Sequence, residues 1–316
     1  MERPRKGTAT SAFGSGRREG HDSSAFYDRF PSPGISDDER VEPAPDFDQP
    51  RAFLGDSRDM RHLPDNCVAL VVTSPPYFVG KEYEQAVAGR RVPESYMDYL
   101  CLLREVFAEC VRVLEPGGRM AVNVANLGRK PYRSLSGDVT GILQDDLGLL
   151  LRGEIIWTKA RGASGSCAWG SWCSPANPVL RDVTERVVVA SKGRFDRALS
   201  RSQRQAAGLP HRATISPDEF MDATLDVWEI RPASATQVGH PAPFPEELPA
   251  RLIRLYTYED DLVLDPFMGS GTTLVAAVSA NRRGVGYDID QAYVDLAEAR
   301  LADLDQQTSS PLPTSG

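Results

Sequence analysis

Short runs of apolar residues alternate along the chain with longer stretches in which apolar side chains recur every three or four positions. The short runs predict buried strands, which cover residues 51–55, 68–72, 120–124, 155–157, 187–190, 262–264 and 284–287. The longer stretches predict helices from Pro93 to Leu114 and over residues 249–256, 274–278 and 290–304. Residues 59–63 predict a short helical turn, and Pro116-Gly117-Gly118 is expected to end the first long helix. This alternation favours an α/β fold, with residues 155–157 and 187–190 as a candidate hairpin.

The two ends of the chain differ from its middle in composition. Residues 1–46 are rich in Gly, Ser, Pro, Arg and Asp without periodicity and predict a disordered arm, and residues 305–316 predict a disordered tail. One folded domain is therefore expected over residues 47–304. Five cysteines without Cys-x-x-Cys spacing predict free thiols in a reducing compartment and no metal site. No apolar run is long enough to cross a bilayer, so we expect a cytoplasmic protein without membrane contact.

A stiff loop follows the predicted strand at residues 68–72. Its sequence is Thr73-Ser74-Pro75-Pro76-Tyr77. Two consecutive prolines have no N–H to donate, so the strand has to stop there. In an open α/β sheet, ligands bind at the carboxyl ends of strands. Backbone carbonyls, a hydroxyl and an aromatic ring at that position suit the gripping of an exocyclic amine and stacking on its base; the plain alternative is an ordinary proline turn.

A glycine-rich turn joins the strand at residues 262–264 to a helix. It reads Asp265-Pro266-Phe267-Met268-Gly269-Ser270-Gly271-Thr272-Thr273. The turn has neither the lysine of a phosphate-binding loop nor Gly-x-Gly-x-x-Gly spacing. The next predicted strand ends at Asp288, where a carboxylate can accept hydrogen bonds from ribose hydroxyls. A cofactor with an adenosine but no phosphate fits this pattern, and S-adenosyl-L-methionine is such a cofactor.

Together these motifs resemble those of the amino-DNA methyltransferases of the permuted β type, in which the catalytic loop precedes the methionine-binding strand. The segments after residues 72 and 264 resemble the catalytic and cofactor motifs of that family. Gly55-Asp56-Ser57 resembles its adenine-contacting turn, and His240-Pro241-Ala242-Pro243-Phe244-Pro245 resembles the segment before the helix beside the methionine. The resemblance covers roughly residues 50–304. It implies a Rossmann-like methyltransferase fold, with a mixed but mostly parallel sheet, helices on both faces and a small target-recognition insert.

The resemblance also implies a reaction. The methyl group of S-adenosyl-L-methionine passes to the exocyclic N4 amine of a flipped-out cytosine, because a Ser-first motif is typical of cytosine-N4 enzymes; adenine-N6 methylation stays open. The implied catalytic residues are Ser74, Pro75, Pro76 and Tyr77. The implied cofactor contacts are Asp56, Asp265, Pro266, Phe267, Gly269, Ser270, Gly271, Thr272, Asp288, His240 and Phe244. The account requires the loops at Ser74 and Gly269 to meet at one edge of the sheet. Two other classes of function stay open. One is a non-catalytic regulator that binds the cofactor, and the other is an enzyme that acts on RNA or a small molecule.

Five of these residues also have a plainer interpretation. Asp265 could be a helix N-terminal charge, and Asp288 could be a cap. Phe267 and Phe244 could be core residues, and His240 could be a hydrogen-bonded loop histidine.

Contacts with double-stranded DNA have to overcome a net charge of −8. Basic residues nevertheless cluster locally, and such clusters can follow a phosphate backbone. Tryptophans in a long loop can contact or replace bases. We therefore assign target recognition to residues 160–178 and 193–226. The predicted DNA contacts are Arg129, Lys130, Arg133, Trp169, Trp172, Arg194, Arg197 and Arg201. A homodimer and a cognate restriction endonuclease stay open as partners, in a bacterial or phage setting.

Overall fold

A computed structural model describes residues 34–47, 50–77, 93, 95–128, 131–159, 170–232 and 245–309, with side chains up to residue 304. The strands in this part of the chain are β1 (Arg51–Leu54), β2 (Val68–Thr73), β3 (Leu114–Val124), β4 (Leu150–Thr158), β5 (Thr184–Ser191), β6 (Val227–Glu229), β7 (Leu262–Asp265) and β8 (Arg283–Asp288). They form one sheet in the order β1-β8-β7-β2-β3-β5-β4-β6. Pairing is parallel from β1 across to β3 and between β4 and β6. It is antiparallel where β5 meets β3 and β4, so the predicted hairpin is confirmed.

Helices cover both faces of this sheet. They are α1 (Tyr96–Val113), α2 (Leu135–Gly141) with a π-helical turn (Ile142–Asp146), α3 (Arg201–Ala206), α4 (Pro217–Ala223), α5 (Glu247–Tyr256), α6 (Thr272–Ser279) and α7 (Gln291–Ser309). Ser95 starts α1 with a capping box, in which its hydroxyl accepts from the Asp98 N–H and the Asp98 carboxylate accepts from the Ser95 N–H.

Side chains of β2 enter two different cores. Val68 and Val71 pack into a cluster that also contains Leu103 and Phe107 of α1. Leu70 and Val72 pack into a second cluster. That cluster contains Leu248, Leu252 and Ile253 of α5. Because successive side chains of a strand point to opposite faces, β2 is buried on both sides, and the predicted Rossmann-like α/β architecture is confirmed.

The region around Pro116-Gly117-Gly118 differs from the sequence prediction. The helix ends at Val113, and these three residues lie inside β3, where its register with β2 shifts. Gly117 has φ +78°, and a Cβ there would lie 1.8 Å from the Asp196 carbonyl oxygen. The sequence signal was real, but it marked a bulge in a strand instead of a helix end. Residues 59–63 form turns and no helix.

The segment at residues 193–226 is more ordered than its lack of periodicity suggested, and part of it lies at the edge of the sheet opposite the Ser74 loop. It contains α3 and α4. Arg204 of α3 is buried and pairs with Glu115 at 3.1 Å and Asp261 at 2.9 Å. Glu115 is the second residue of β3 and Asp261 precedes β7, so α3 is held at the amino-terminal edge of the parallel strands.

The predicted arm and tail lie largely outside the described residues, which exclude 1–33, 48–49 and 310–316. Residues 34–47 have no helix or strand, yet the Ser36 N–H donates to the Gly193 carbonyl and the Glu42 N–H donates to the Asn66 carbonyl. Residues 35–47 therefore belong to the body that begins at Ile35, which extends the folded domain beyond the predicted start at residue 47. No helix within the described ranges is long and apolar enough to cross a membrane.

Candidate active site

The two predicted loops leave neighbouring strands at the same edge of the sheet. β2 and β7 are parallel, with Val71 opposite Leu264. The Ser74 loop and the Asp265 turn therefore both begin at the carboxyl-terminal edge. The Thr273 hydroxyl joins them, since it donates to the Asp265 carboxylate at 2.6 Å and lies 3.5 Å from the Val72 carbonyl oxygen. The expectation that residues nearly two hundred positions apart meet at one edge is confirmed.

Asp265 is buried beneath the glycine-rich turn. Besides the hydrogen bond from Thr273, its carboxylate accepts the Phe267 N–H at 3.1 Å. Burial raises the pKa of the Asp265 carboxyl to about 6, although the hydrogen bond from Thr273 acts in the opposite direction. The residue thus holds the turn and places a titratable charge under it. Because the side chain has no exposed surface, its charge can act on a ligand only through its electric field and not by direct contact.

Gly271 starts α6 in the left-handed region, with φ +75°. A Cβ at this position would lie 2.8 Å from the Ala297 Cβ of α7. The glycine is therefore required both for the turn and for the close approach of α7. Arg300 of α7 fixes the turn from outside, donating to the Ser270 carbonyl at 2.6 Å and lying 3.2 Å from the Thr272 hydroxyl. Ser270 and Thr272 are buried, so their side chains stabilise the turn from inside.

Asp288 ends β8 beside this turn. One of its oxygens accepts the Gly269 N–H at 3.1 Å and the other accepts the Asp290 N–H at 2.9 Å. Burial raises the pKa of Asp288 above its ordinary value. Each carboxylate oxygen can accept more than one hydrogen bond, so acceptor capacity is left for a ligand hydroxyl.

Asp56 lies one strand further along the same edge. The Gly55 N–H donates to the Asp288 carbonyl at 2.9 Å, so the turn after β1 lies against the end of β8. The Asp56 carboxylate accepts from Arg58, and these hydrogen bonds lower the pKa of Asp56. Asp56 therefore stays ionised at neutral pH as an acceptor at this rim.

The Ser74 loop is tied into a hydrogen-bond network that the sequence did not reveal. The Ser74 hydroxyl lies 3.2 Å from the Tyr77 hydroxyl, which donates to a Glu185 oxygen at 3.0 Å. Asn123 donates to the same Glu185 oxygen at 2.7 Å. Burial, followed by the nearby Glu185 charge, raises the pKa of Tyr77 well above its ordinary value. The Tyr77 hydroxyl therefore stays protonated, and its hydrogen bonds fix the orientation of the ring.

Lys159 completes this network. Its ammonium pairs with the second Glu185 oxygen at 2.6 Å and lies 5.5 Å from the centre of the Trp157 ring. Asn123, Lys159 and Glu185 come from β3, the end of β4 and the start of β5, which meet at the carboxyl-terminal edge of β3. In the sequence, the only signal that marks these three residues is that each is a polar residue next to or inside an apolar strand.

The predicted DNA contacts other than Arg197 fall into three groups. Arg133 and Trp172 have exposed surface, although Arg133 also pairs with Asp138 at 2.7 Å. Arg194 and Arg201 lie near the amino-terminal edge with α3, away from the catalytic loop. The remaining predicted DNA and cofactor contacts lie outside the described residues, namely Arg129, Lys130, Trp169, His240 and Phe244.

Arg197 requires a correction. Its side chain is largely buried and pairs with Glu115 and Asp261, the latter at 3.1 Å. A guanidinium that already neutralises two buried carboxylates cannot follow a phosphate backbone, so the prediction that Arg197 contacts DNA is wrong.

Comparisons with known proteins agree with this geometry. Residues 68–299 match the family model of the N6/N4 DNA methylases. The type II methyltransferase M.MjaI of Methanocaldococcus jannaschii is 28% identical over 284 residues, which cover 79% of this chain and 90% of that protein. A Thermus thermophilus protein solved in complex with S-adenosyl-L-methionine is 28% identical, with a TM-score of 0.62 over 80% of this chain and 93% of the other. The cytosine-N4-specific PvuII methyltransferase shares the fold at 20% identity, with a TM-score of 0.61 over 84% and 87% of the two chains. The chain therefore belongs to the N6/N4 DNA methylase family, and S-adenosyl-L-methionine is its cofactor.

Proposed function

We propose that this protein transfers the methyl group of S-adenosyl-L-methionine to the exocyclic N4 amine of a cytosine flipped out of duplex DNA. The observation that carries this proposal is the Ser74 hydroxyl, which lies at the carboxyl end of β2, directly beside the cofactor strand β7. Transfer to the N6 amine of adenine is the alternative, because the Ser74 side chain alone favours cytosine over adenine.

The residues at the edge of β7, β8 and β1 fit a cofactor that has an adenosine and a cationic methionine. The side chains that would meet it are carboxylates, with Asp265 under the turn, Asp288 beside Gly269, and Asp56 at the end of β1. Asp288 would hold the ribose and Asp56 the adenine amine, while the field of Asp265 favours the methionine ammonium. When bound, the cofactor supplies an electrophilic methyl group on a sulfonium.

The residues of the catalytic loop would act on the amine. The cytosine N4 lone pair is delocalised into the ring, so the nitrogen is a weak nucleophile. The Pro75 carbonyl and the Ser74 hydroxyl would accept its two N–H groups, which favours a tetrahedral nitrogen and frees the lone pair. Preorganised acceptors of this kind stabilise positive charge as it develops. The methylated amine is acidic and loses a proton to solvent without a strong base. Tyr77 would stack on the flipped base.

Two further aspects of the substrate and partners are also proposals. Arg133 and Trp172 would contact the DNA, since both have exposed surface in the described structure. The naming of several relatives as type II methyltransferases favours a restriction endonuclease of the same site specificity as a functional partner. A homodimer stays a prediction.

The test is the chemical identity of the product. The purified protein is incubated with methyl-labelled S-adenosyl-L-methionine and duplex DNA of mixed sequence, and the DNA is digested to nucleosides for mass spectrometry. We expect the label in N4-methylcytosine. Label in N6-methyladenine would establish the alternative, and label in C5-methylcytosine or no label in DNA would refute the proposed chemistry.

A variant pair connects this product to the site. We expect Ser74→Ala to slow the single-turnover rate by about 100-fold, the scale on which removal of one preorganised group acts, while the Kd for the cofactor stays within about threefold. Ser202→Ala is the matched control because its side chain is exposed on α3. Equal losses of rate and cofactor affinity in Ser74→Ala would remove Ser74 from its role.

A further inference from the structure

Glu185 is a buried carboxylate that the proposed chemistry does not use. Its side chain is about one-tenth exposed, and both oxygens are occupied by donors. One oxygen accepts the Tyr77 hydroxyl at 3.0 Å and the Asn123 amide at 2.7 Å, and the other pairs with the Lys159 ammonium at 2.6 Å. The residue at the start of β5 thus gathers donors from the catalytic loop, β3 and the end of β4.

The ionised carboxylate determines the direction of the neighbouring hydrogen bonds. A carboxylate only accepts, so the Tyr77 hydroxyl has to donate its proton to Glu185. The Tyr77 oxygen is then an acceptor for Ser74, which lies 3.2 Å away. When the Ser74 hydroxyl donates to Tyr77, the lone pairs of the Ser74 oxygen are left for other donors. The Asn123 amide, which also lies 3.3 Å from the Tyr77 oxygen, reaches one of them at the long distance of 3.4 Å, and one remains.

We propose that Glu185 is a positioning residue that directs the hydrogen-bond chain from Ser74 through Tyr77, so that the Ser74 oxygen presents a lone pair to the target amine. This inference rests on the proposed function, because it assigns the lone pair to the N–H of the base. A purely structural role for the Glu185–Lys159 pair is the competing explanation. The two explanations predict different results when the direction of these hydrogen bonds is reversed but the packing is kept.

Glu185→Gln reverses the direction of the hydrogen bonds from Ser74 through Tyr77. A glutamine side chain has nearly the same shape but one acceptor oxygen and one donor amide. Lys159 holds the oxygen, so the amide group faces Tyr77 and Asn123. Tyr77 then accepts from the glutamine and donates to Ser74, and this occupies the Ser74 lone pair. In Lys159→Met/Glu185→Gln the amide is free to turn, and its oxygen can again accept from Tyr77.

The experiment measures single-turnover methyl transfer to duplex DNA, together with the Kd for S-adenosyl-L-methionine. We expect Glu185→Gln to slow transfer about tenfold or more, in line with loss of a hydrogen bond to a charged group, with the Kd changed less than about twofold. The double variant is expected to be faster than Glu185→Gln although it carries one more substitution. Tyr77→Phe is expected to be slow as well, and Glu185→Gln added to Tyr77→Phe has little further effect, because both break the same chain.

Two results would overturn the inference. One is a Glu185→Gln variant as fast as the wild type. The other is a double variant that is slower than Glu185→Gln, since a structural ion pair gains nothing from the second loss.

A second measurement needs neither DNA nor turnover. Fluorine NMR of protein labelled with fluorotyrosine, with the Tyr77 signal identified by its loss in Tyr77→Phe, reports the hydrogen bonding of that hydroxyl. We expect the signal to move in Glu185→Gln and to return towards its wild-type position in the double variant. An unmoved signal refutes the inference. A signal that moves and returns while the wild type methylates no DNA upholds the directed hydrogen-bond chain and refutes the proposed function instead.

Discussion

Replacement of Asp265 with asparagine is expected to stabilise the unliganded protein while it weakens cofactor binding. The carboxyl is fully buried, and burial raises its pKa from the ordinary value of 3.8 to about 6. Between those two pH values the folded state holds a proton that the unfolded state has lost. The stability of the folded state therefore falls as pH rises from about 4 to about 6, and it levels off above pH 7.

The size of this effect follows from the pKa difference. One pH unit of pKa corresponds to about 1.4 kcal/mol, so the ionised form of Asp265 costs the folded state about 3 kcal/mol at neutral pH. Asparagine resembles the protonated acid and avoids that cost, while its oxygen still accepts one of the bonds from Thr273 and Phe267. After the loss of the other bond, of about 1 kcal/mol, we expect Asp265→Asn to gain about 2 kcal/mol at pH 8.

The assay is urea unfolding of the unliganded wild type and Asp265→Asn at about pH 5 and about pH 8, with isothermal titration of the cofactor at the same two pH values. The stability gain of the variant should shrink at the lower pH, where the wild-type carboxyl is protonated. Cofactor affinity of the wild type should fall as pH drops through 6, and that dependence should be weaker in the variant, which keeps Asp288 with its raised pKa. Asp303→Asn, at an exposed position of α7, is the matched control. A variant that is less stable than the wild type at pH 8 would refute the reasoning.

Three other substitutions test separate parts of the structure. Gly271→Ala should lower the free energy of unfolding by about 1–3 kcal/mol because of its left-handed φ, and the contact with α7 should add a further loss. Gly148 has a similar φ but lies in open space, so Gly148→Ala is the control. Equal losses in the two variants would contradict the close approach of α7. Arg204→Ala should cost about 3–5 kcal/mol in urea unfolding because Arg197 alone then faces the buried carboxylates of Glu115 and Asp261, and one of their charges is left uncompensated. Exposed Arg201→Ala should change stability by less than about 0.5 kcal/mol, and similar losses in the two variants would contradict the buried network. Trp172→Ala should weaken duplex binding and leave the cofactor Kd unchanged, and unchanged duplex binding would remove this residue from the DNA contacts.

The parts of the candidate site whose position in the fold the sequence predicted correctly are continuous in the chain. The loop at Ser74-Pro75-Pro76-Tyr77 and the turn from Asp265 to Thr272 each follow a strongly apolar strand, so their position at a strand end could be inferred locally. Their meeting at one edge followed from the rule that parallel strands in an open sheet share a ligand-binding edge, and the pairing of β2 with β7 confirms it.

The parts that the sequence did not predict depend on partners far along the chain. Glu185 joins Tyr77 across 108 positions and Asn123 across 62, so no local pattern marks it as part of the site. The basic cluster near Arg197 suggested a DNA surface. Its neutralising carboxylates, Glu115 and Asp261, lie 82 and 64 positions away. Charge counted in a window therefore misled where tertiary pairing decided the outcome.

The central claim is that the cofactor on β7 and β8 faces the amine-binding loop on β2. A crystal structure of the complete chain with S-adenosylhomocysteine tests it most directly. The account predicts ribose hydroxyls on the Asp288 carboxylate and the cofactor sulfur on the side of the pocket that faces Ser74 and Tyr77. A cofactor bound away from the turn after β7, or with its sulfur turned from the Ser74 loop, would contradict it.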